Sequence, residues 1–166
     1  LKKYKSFFDQ SFNENHLFVI GINKKVSNNG STNTFNSLTV YDNELDILKS
    51  YDKINLVPFG EFLPFENILK GIGLRPLTNN YQSFSKGEKR ELIEIEHANF
   101  TLKALPLICY EIIYTGKLFK NSSYDFIINI SEDGWFGKSI GPKQHFDHSI
   151  FRAIETGKYI LRSSNN

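Results

Sequence analysis

Apolar positions along this chain recur with a period that changes from block to block, and each period predicts an element. Between Lys2 and His16, Tyr4, Phe7, Phe8 and Phe12 fall at helical spacing, which predicts an amphipathic helix. Leu17–Ile22 follows as a short buried strand, the Asn-Asn-Gly-Ser group at 28–31 as a turn, and Thr34–Tyr41 as a second strand. That pair reads as an antiparallel hairpin. Glu44–Asp52 reads as a connection into Lys53–Glu61. Phe65, Ile68, Leu69 and Ile72 then predict a short helix over Phe62–Leu74, opened by Pro64. After a polar loop, Leu92–Ala98 and Phe100–Leu107 read as a hairpin that turns at His97-Ala98-Asn99. Tyr114–Asn121 fits a helix and Tyr124–Ser131 a buried strand. Gly141-Pro142 opens a helix with Phe146, Ile150 and Ile154 on one face; Gly157 ends it, and Tyr159–Arg162 is the last strand. Hairpins alternating with crossover helices predict a layered α/β domain.

Composition narrows the partners. Of 166 residues, 20 are basic and 18 acidic, a formal charge of +2, and no long basic run occurs, so nucleic acid is not expected. Fifteen Phe and eight Tyr exclude a disordered chain. No segment approaches the roughly 20 apolar residues that span a bilayer. The chain enters directly into a helical pattern and stops straight after a strand-like run, so it reads as a piece of a domain, cut at both ends.

Three stretches carry candidate chemistry. In Leu105-Pro-Leu-Ile-Cys-Tyr-Glu111 an apolar strand delivers the sole cysteine, Cys109, to a turn into polar residues. A nucleophile on such a turn is exposed while its backbone stays fixed, and the next residue offers a backbone N–H to an oxyanion. A small buried hydrophobe is the other reading, and the commoner fate of a free cysteine. Lys53 and Glu61 flank the apolar segment Leu56-Val-Pro-Phe-Gly60. They are either surface charges or a buried pair; a lysine beside a cysteine would favour the thiolate and stabilise an oxyanion. Asn129-Ile-Ser-Glu-Asp-Gly-Trp-Phe-Gly137 places the single tryptophan, Trp135, in a strand-end loop, as a substrate contact or as a plug on the core. His145 and His148 lie three apart on a helix, but no further ligands accompany them, so no metal site is expected.

Taken in order, Lys53, Leu-Val-Pro-Phe-Gly-Glu61, Cys109-Tyr-Glu111, Asp133-Gly-Trp-Phe-Gly137, Ser139-Ile-Gly-Pro142, Gln144-His145, Arg152-Ala153 with Glu155, and Arg162-Ser-Ser-Asn-Asn166 resemble the apolipoprotein N-acyltransferase branch of the carbon–nitrogen hydrolase (nitrilase) superfamily. The resemblance runs from about Leu17 to the end. It implies a nitrilase-like four-layer αββα sandwich, here incomplete at both ends, and a Glu–Lys–Cys triad. It implies transfer of a fatty acyl chain from a phospholipid donor to the α-amine of a diacylglyceryl-cysteine apolipoprotein. It also implies a catalytic domain on the outer face of the bacterial cytoplasmic membrane, flanked by membrane helices outside these residues, and no cofactor. By position, Cys109 is the expected nucleophile and Lys53 the oxyanion donor. Glu61 is the carboxylate that orients the lysine or the incoming group. Tyr110 and Glu111 are expected to shape the pocket, with Trp135 as a positioning residue.

Two departures stand out. The family's general-base glutamate belongs to a Pro-Glu segment upstream of the first helix, no residue here matches it, and these 166 residues alone are expected to be inactive. Glu132 stands where the family usually has Asn. The competing functions are a soluble amidase or nitrilase-type hydrolase, with water as acceptor on the same triad, and a catalytically dead binding domain.

Overall fold

A computed structural model of the chain describes residues 4–28, 30–77, 82–97, 100–116 and 123–165. Two sheets form its centre. The first is an antiparallel meander of β1 (Phe18–Asn28), β2 (Ser31–Tyr41) and β3 (Ile47–Asp52). The β1–β2 hairpin turns at Asn28 and Ser31 around Gly30, whose φ of 81° is the left-handed region that glycine enters without strain. The second sheet runs in the order β4 (Ile93–His97), β5 (Phe100–Ile108), β6 (Phe126–Ser131), β7 (Tyr159–Ser164). Its first pair is antiparallel and the other two are parallel, the geometry that a crossover helix demands.

The sheets pack face to face. Leu38, Val40 and Tyr51 from the first meet Ile93, Ala104, Ile108 and Ile128 from the second in one buried cluster. The opposite face of the second sheet buries Leu105, Leu107 and Ile127 with Ile112 and Tyr124. Because β5 and β6 are covered on both faces, they read as unbroken apolar runs rather than alternating ones. Among the described residues the longest helix, α3 (Gly141–Thr156), connects β6 to β7, and two shorter ones precede it, α1 (Lys5–Ser11) and α2 (Glu66–Gly71). The expected nitrilase-like layering of sheets flanked by helices is borne out.

Several elements differ from expectation. Glu44–Asp52 is not a plain connection, because Ile47–Asp52 pairs with β2 as an edge strand. α2 covers only part of Phe62–Leu74: Phe65 sits at φ 51° before its first residue, and Pro64 lies outside the helix. The expected helix at Tyr114–Asn121 is not formed over its described start: a single tight turn spans Cys109–Ile113 and Tyr114 is extended, while residues 117–121 lie outside those described. Ala98 and Asn99 of the expected hairpin turn also lie outside them. α3 is the largest surprise. Its buried residues are His145, Ser149 and Arg152, whereas Phe146, Ile150 and Ile154 face outward.

Candidate active site

β5 ends at Ile108, and the next residue, Cys109, takes a left-handed backbone with φ 50°. For a residue with a Cβ this costs about 1–2 kcal/mol, so surrounding contacts must hold it. Glu111 supplies the first of them. Its side chain is wholly buried and reaches back to accept the Ile108 N–H at 2.9 Å. Its other oxygen accepts from the Tyr51 hydroxyl at 2.8 Å, from Arg90 at 2.6 Å and from the backbone N–H groups of Ile54 (3.3 Å) and Asn55 (3.1 Å). One carboxylate thus joins the turn that carries Cys109 to the loop that follows Lys53. Burial, and then the Glu111 charge, push the Tyr51 phenol well above its ordinary pKa, so it remains a donor at any working pH.

Lys53 directly follows the third strand of the meander. Its N–H donates to the Asn36 carbonyl at 2.8 Å, and its own carbonyl accepts from Gly87 at 2.9 Å. The side chain is 1% exposed, and Nζ meets Glu61 Oε2 at 2.7 Å. The same oxygen accepts the Val57 N–H at 2.9 Å, and Glu61 Oε1 accepts Asn36 Nδ2 at 2.8 Å. Lys53 and Glu61 are therefore a buried pair, not surface charges. Between them the chain forms a compact turn rather than a bent strand, with the left-handed residue at Phe59 (φ 62°).

The third group lies behind Cys109. Asp133 begins a short helical turn after β6 and accepts from Ser131 (2.5 Å), Ser164 (2.9 Å), Arg162 (2.5 Å) and His145 Nδ1 (2.7 Å). Burial alone would raise its pKa; the bonds from Ser131, His145 and Ser164 and the charge of Arg162 outweigh that and hold it at about 2. Arg162 also bonds the Asn129 side-chain oxygen. On the far side of the ring, His145 Nε2 lies 3.1 Å from the Cys109 carbonyl oxygen.

Lys53, Glu61, Cys109, Tyr110 and Trp135 all line one cavity of about 1240 Å³, together with Asn36, Glu132, Phe136 and Asn165. Trp135 is 59% exposed, so it is no core plug. Glu111 does not line the cavity; it lies behind it and bonds the backbone of Ile108. Arg90 and Tyr51, its partners, carry no motif and were invisible to sequence reasoning. His145 and Asp133 lay in noticed motifs, but only the fold shows what they bond. Among the described residues no cluster of three His, Cys, Asp or Glu side chains is placed to hold a metal.

The carbon–nitrogen hydrolase family model matches residues 5–166. Among curated proteins, the apolipoprotein N-acyltransferase of Bradyrhizobium diazoefficiens is 42% identical over 135 residues, 81% of this chain and 25% of that protein. The enzyme of the same name from Brucella suis is 36% identical over 144 residues, 86% of this chain and 26% of that protein. The chain thus spans about a quarter of the length of these relatives. Among solved structures, a mutant of the amidase from Nesterenkonia sp., with the acetamide moiety of fluoroacetamide on its active-site cysteine, superposes with a TM-score of 0.57 at 12% identity. The match covers 98% of this chain and 51% of the amidase. Glutamine-dependent NAD+ synthetase from Acinetobacter baumannii gives 0.62 at 19% identity over 99% of this chain and 27% of that one. At such identities the structural likeness concerns the fold alone.

Proposed function

The chain belongs to the carbon–nitrogen hydrolase family, and on that premise we propose that it carries the thioester chemistry of an apolipoprotein N-acyltransferase. The Cys109 thiolate attacks the ester carbonyl of a phospholipid, the C–O bond breaks, and the lysophospholipid oxygen leaves with a proton. The α-amine of a diacylglyceryl-cysteine apolipoprotein then attacks the thioester, an amide forms, the amine's proton is lost, and the thiolate is restored. Lys53 is the donor to each oxyanion, and Glu61 fixes the direction of its ammonium. Tyr110 and Trp135 contact the acyl chain or the acceptor along the cavity wall. No residue here is assigned the general base.

The observation that carries this reading is the gathering of Lys53, Glu61 and Cys109 on one cavity, within a sequence 42% identical to an enzyme of that name. An exposed apolar segment supports a lipid donor: Phe59, Phe65, Ile68, Ile72, Leu74 and Leu77 are all exposed along it, and it reaches the cavity at Leu77, so we take it as the cavity's rim. Among the described residues no helix is long and apolar enough to cross a membrane. Residence on the outer face of the bacterial cytoplasmic membrane would come from helices outside these residues.

The test is to incubate the full-length protein with phospholipid, quench, digest and locate the added acyl mass. It is expected on the Cys109 peptide, and Cys109→Ala is expected to abolish turnover. Normal turnover by that variant sinks the proposal. Release of free fatty acid without N-acyl product would replace it with a hydrolase.

A further inference from the structure

A strained nucleophile needs a restraint on each side. On the strand side, Glu111 holds the Leu107–Ile108 peptide, one peptide removed from Cys109, through the Ile108 N–H. The peptide after it, between Cys109 and Tyr110, is held by a ring that touches no part of the cavity: His145 Nε2 faces the Cys109 carbonyl oxygen at 3.1 Å. A carbonyl only accepts, as does the Asp133 carboxylate on Nδ1, so in this geometry the ring donates from both nitrogens. His145 is 3% exposed. Its orientation is fixed by Asp133 at 2.7 Å on Nδ1, and Asp133 is itself tied to β6 through Ser131 and to β7 through Arg162 and Ser164. Three elements of the second sheet side therefore converge on one carbonyl.

A peptide is planar, and its C=O and N–H point in opposite directions. Fixing the Cys109 oxygen toward His145 therefore fixes the Tyr110 N–H away from it, on the side where Cys109 and Tyr110 line the cavity. That is the direction from which an oxyanion on a substrate bonded to Sγ would be met. We propose that His145, braced by Asp133, is a positioning residue that locks the Cys109–Tyr110 peptide and so aims both the thiol and the Tyr110 N–H at the reacting carbonyl. This role deepens the acyl-transfer reading and rests on it for its chemistry. It explains why α3 buries a histidine at position 145: the helix must present a ring to the turn behind the nucleophile, and an apolar side chain there has no proton to give.

The experiment compares His145→Leu with His145→Gln in the full-length protein. Glutamine keeps an N–H able to reach the Cys109 oxygen; leucine keeps only bulk. Two readouts are taken: kcat and KM for acyl transfer from phospholipid vesicles, and the rate of Cys109 alkylation by iodoacetamide, which needs no lipid. His145→Leu is expected to lower kcat about 10²-fold with KM unchanged, the scale of a small misplacement of a reacting group. Alkylation is expected to slow about fivefold as the thiol drifts from Lys53. His145→Gln is expected to regain at least tenfold of the lost kcat at the same melting temperature. Equal losses in both variants, following their melting temperatures, would reduce the ring to packing and overturn the proposal, as would a normal kcat in His145→Leu. If His145→Leu does not fold, Asp133→Asn is the second variant, expected to lower kcat about tenfold with KM held; an unchanged kcat there overturns the proposal. A native protein that transfers no acyl group yet shows the alkylation pattern would sink the acyl-transfer reading and leave His145 in place. Acyl transfer with neither readout sensitive to the ring would do the reverse.

Discussion

The wall behind Cys109 and the rim in front of the cavity reverse the usual distribution of residue types. In the wall around Cys109, Lys53 and Glu61 line the cavity, Glu111, Asp133 and His145 lie behind it, and all five are buried. On the rim, Phe65 is 81% and Ile72 71% exposed. Neither arrangement is explained by stability. Buried ion pairs seldom outdo a well-packed apolar core, and exposed aromatics gain nothing from water. Each makes sense as a device. On the acyl-transfer proposal, the charged wall holds a lysine and a strained cysteine in fixed geometry, so its electrostatics need no reorganisation during reaction. The apolar rim offers area to a partner that is itself apolar. The wall should therefore fail by large losses from single substitutions, and the rim by small cumulative ones.

The largest effect is expected at Lys53. Lys53→Met should lower acylation at least ~10²-fold, the usual loss for one oxyanion donor. Circular dichroism should stay unchanged, because Glu61 keeps its bonds from Asn36 and Val57. Near-normal acylation would remove Lys53 from the wall's chemistry. Next comes Glu111→Gln. An amide has one acceptor where the carboxylate has two, so its NH2 must face either the Ile108 N–H or the donors around Oε1, and Arg90 loses its counter-charge. A loss of about 3–5 kcal/mol is expected, a fall of roughly 10 °C in melting temperature. A shift under 2 °C would show that the joint between the two loops is not needed.

How much of this contrast was legible follows from what each residue touches. The β1–β2 hairpin could be read because Asn-Gly marks the turn. Cys109 could be read because an apolar run ends there. β3 could not: in Ile47–Asp52 only Tyr51 is buried, so an edge strand looks like a polar connection. On α3 the apolar stripe of Phe146, Ile150 and Ile154 was visible, but periodicity locates a stripe without saying which way it faces. Two inward residues of α3, His145 and Arg152, are polar because of bonds to Cys109, Asp133 and Tyr114, partners far away in sequence. Arg90 and Tyr51 were missed for the same reason: each is an ordinary residue made special only by Glu111.

Acid should separate the wall's two anchors. Asp133 has a folded pKa of about 2 against an ordinary 3.8. A depressed carboxyl contributes stability that is fully present above the ordinary value and is lost as pH falls through the folded one. Native protein should therefore lose stability between about pH 4 and pH 2 with a slope that Asp133→Asn flattens, while being less stable at neutral pH. Denaturant titrations at several pH values measure this. An unchanged slope would show that Asp133 is not the acid-sensitive member of the network.

The smallest effect is expected on the rim. Phe65 and Ile68 sit at the start of α2 with most of their surface in water. Replacing either with serine removes no internal contact of the buried clusters, so melting temperature should hold within about 1 °C. If the rim enters the lipid interface, each lost side chain forfeits part of the roughly 1.5–3 kcal/mol that full burial would give. Entry into an interface is partial, so a loss of about threefold to tenfold in vesicle-supported acyl transfer is expected per residue. The double variant should approach the product of the two, since binding contributions of separate side chains add when neither rearranges. Alkylation of Cys109 by iodoacetamide should stay at the native rate, because nothing behind the nucleophile has moved. Equal activity of native and double-variant protein on vesicles would detach the rim from the lipid and leave its exposed aromatics to another surface. Slowed alkylation would instead mean that the rim and the wall are one mechanical unit, and the contrast between them would dissolve.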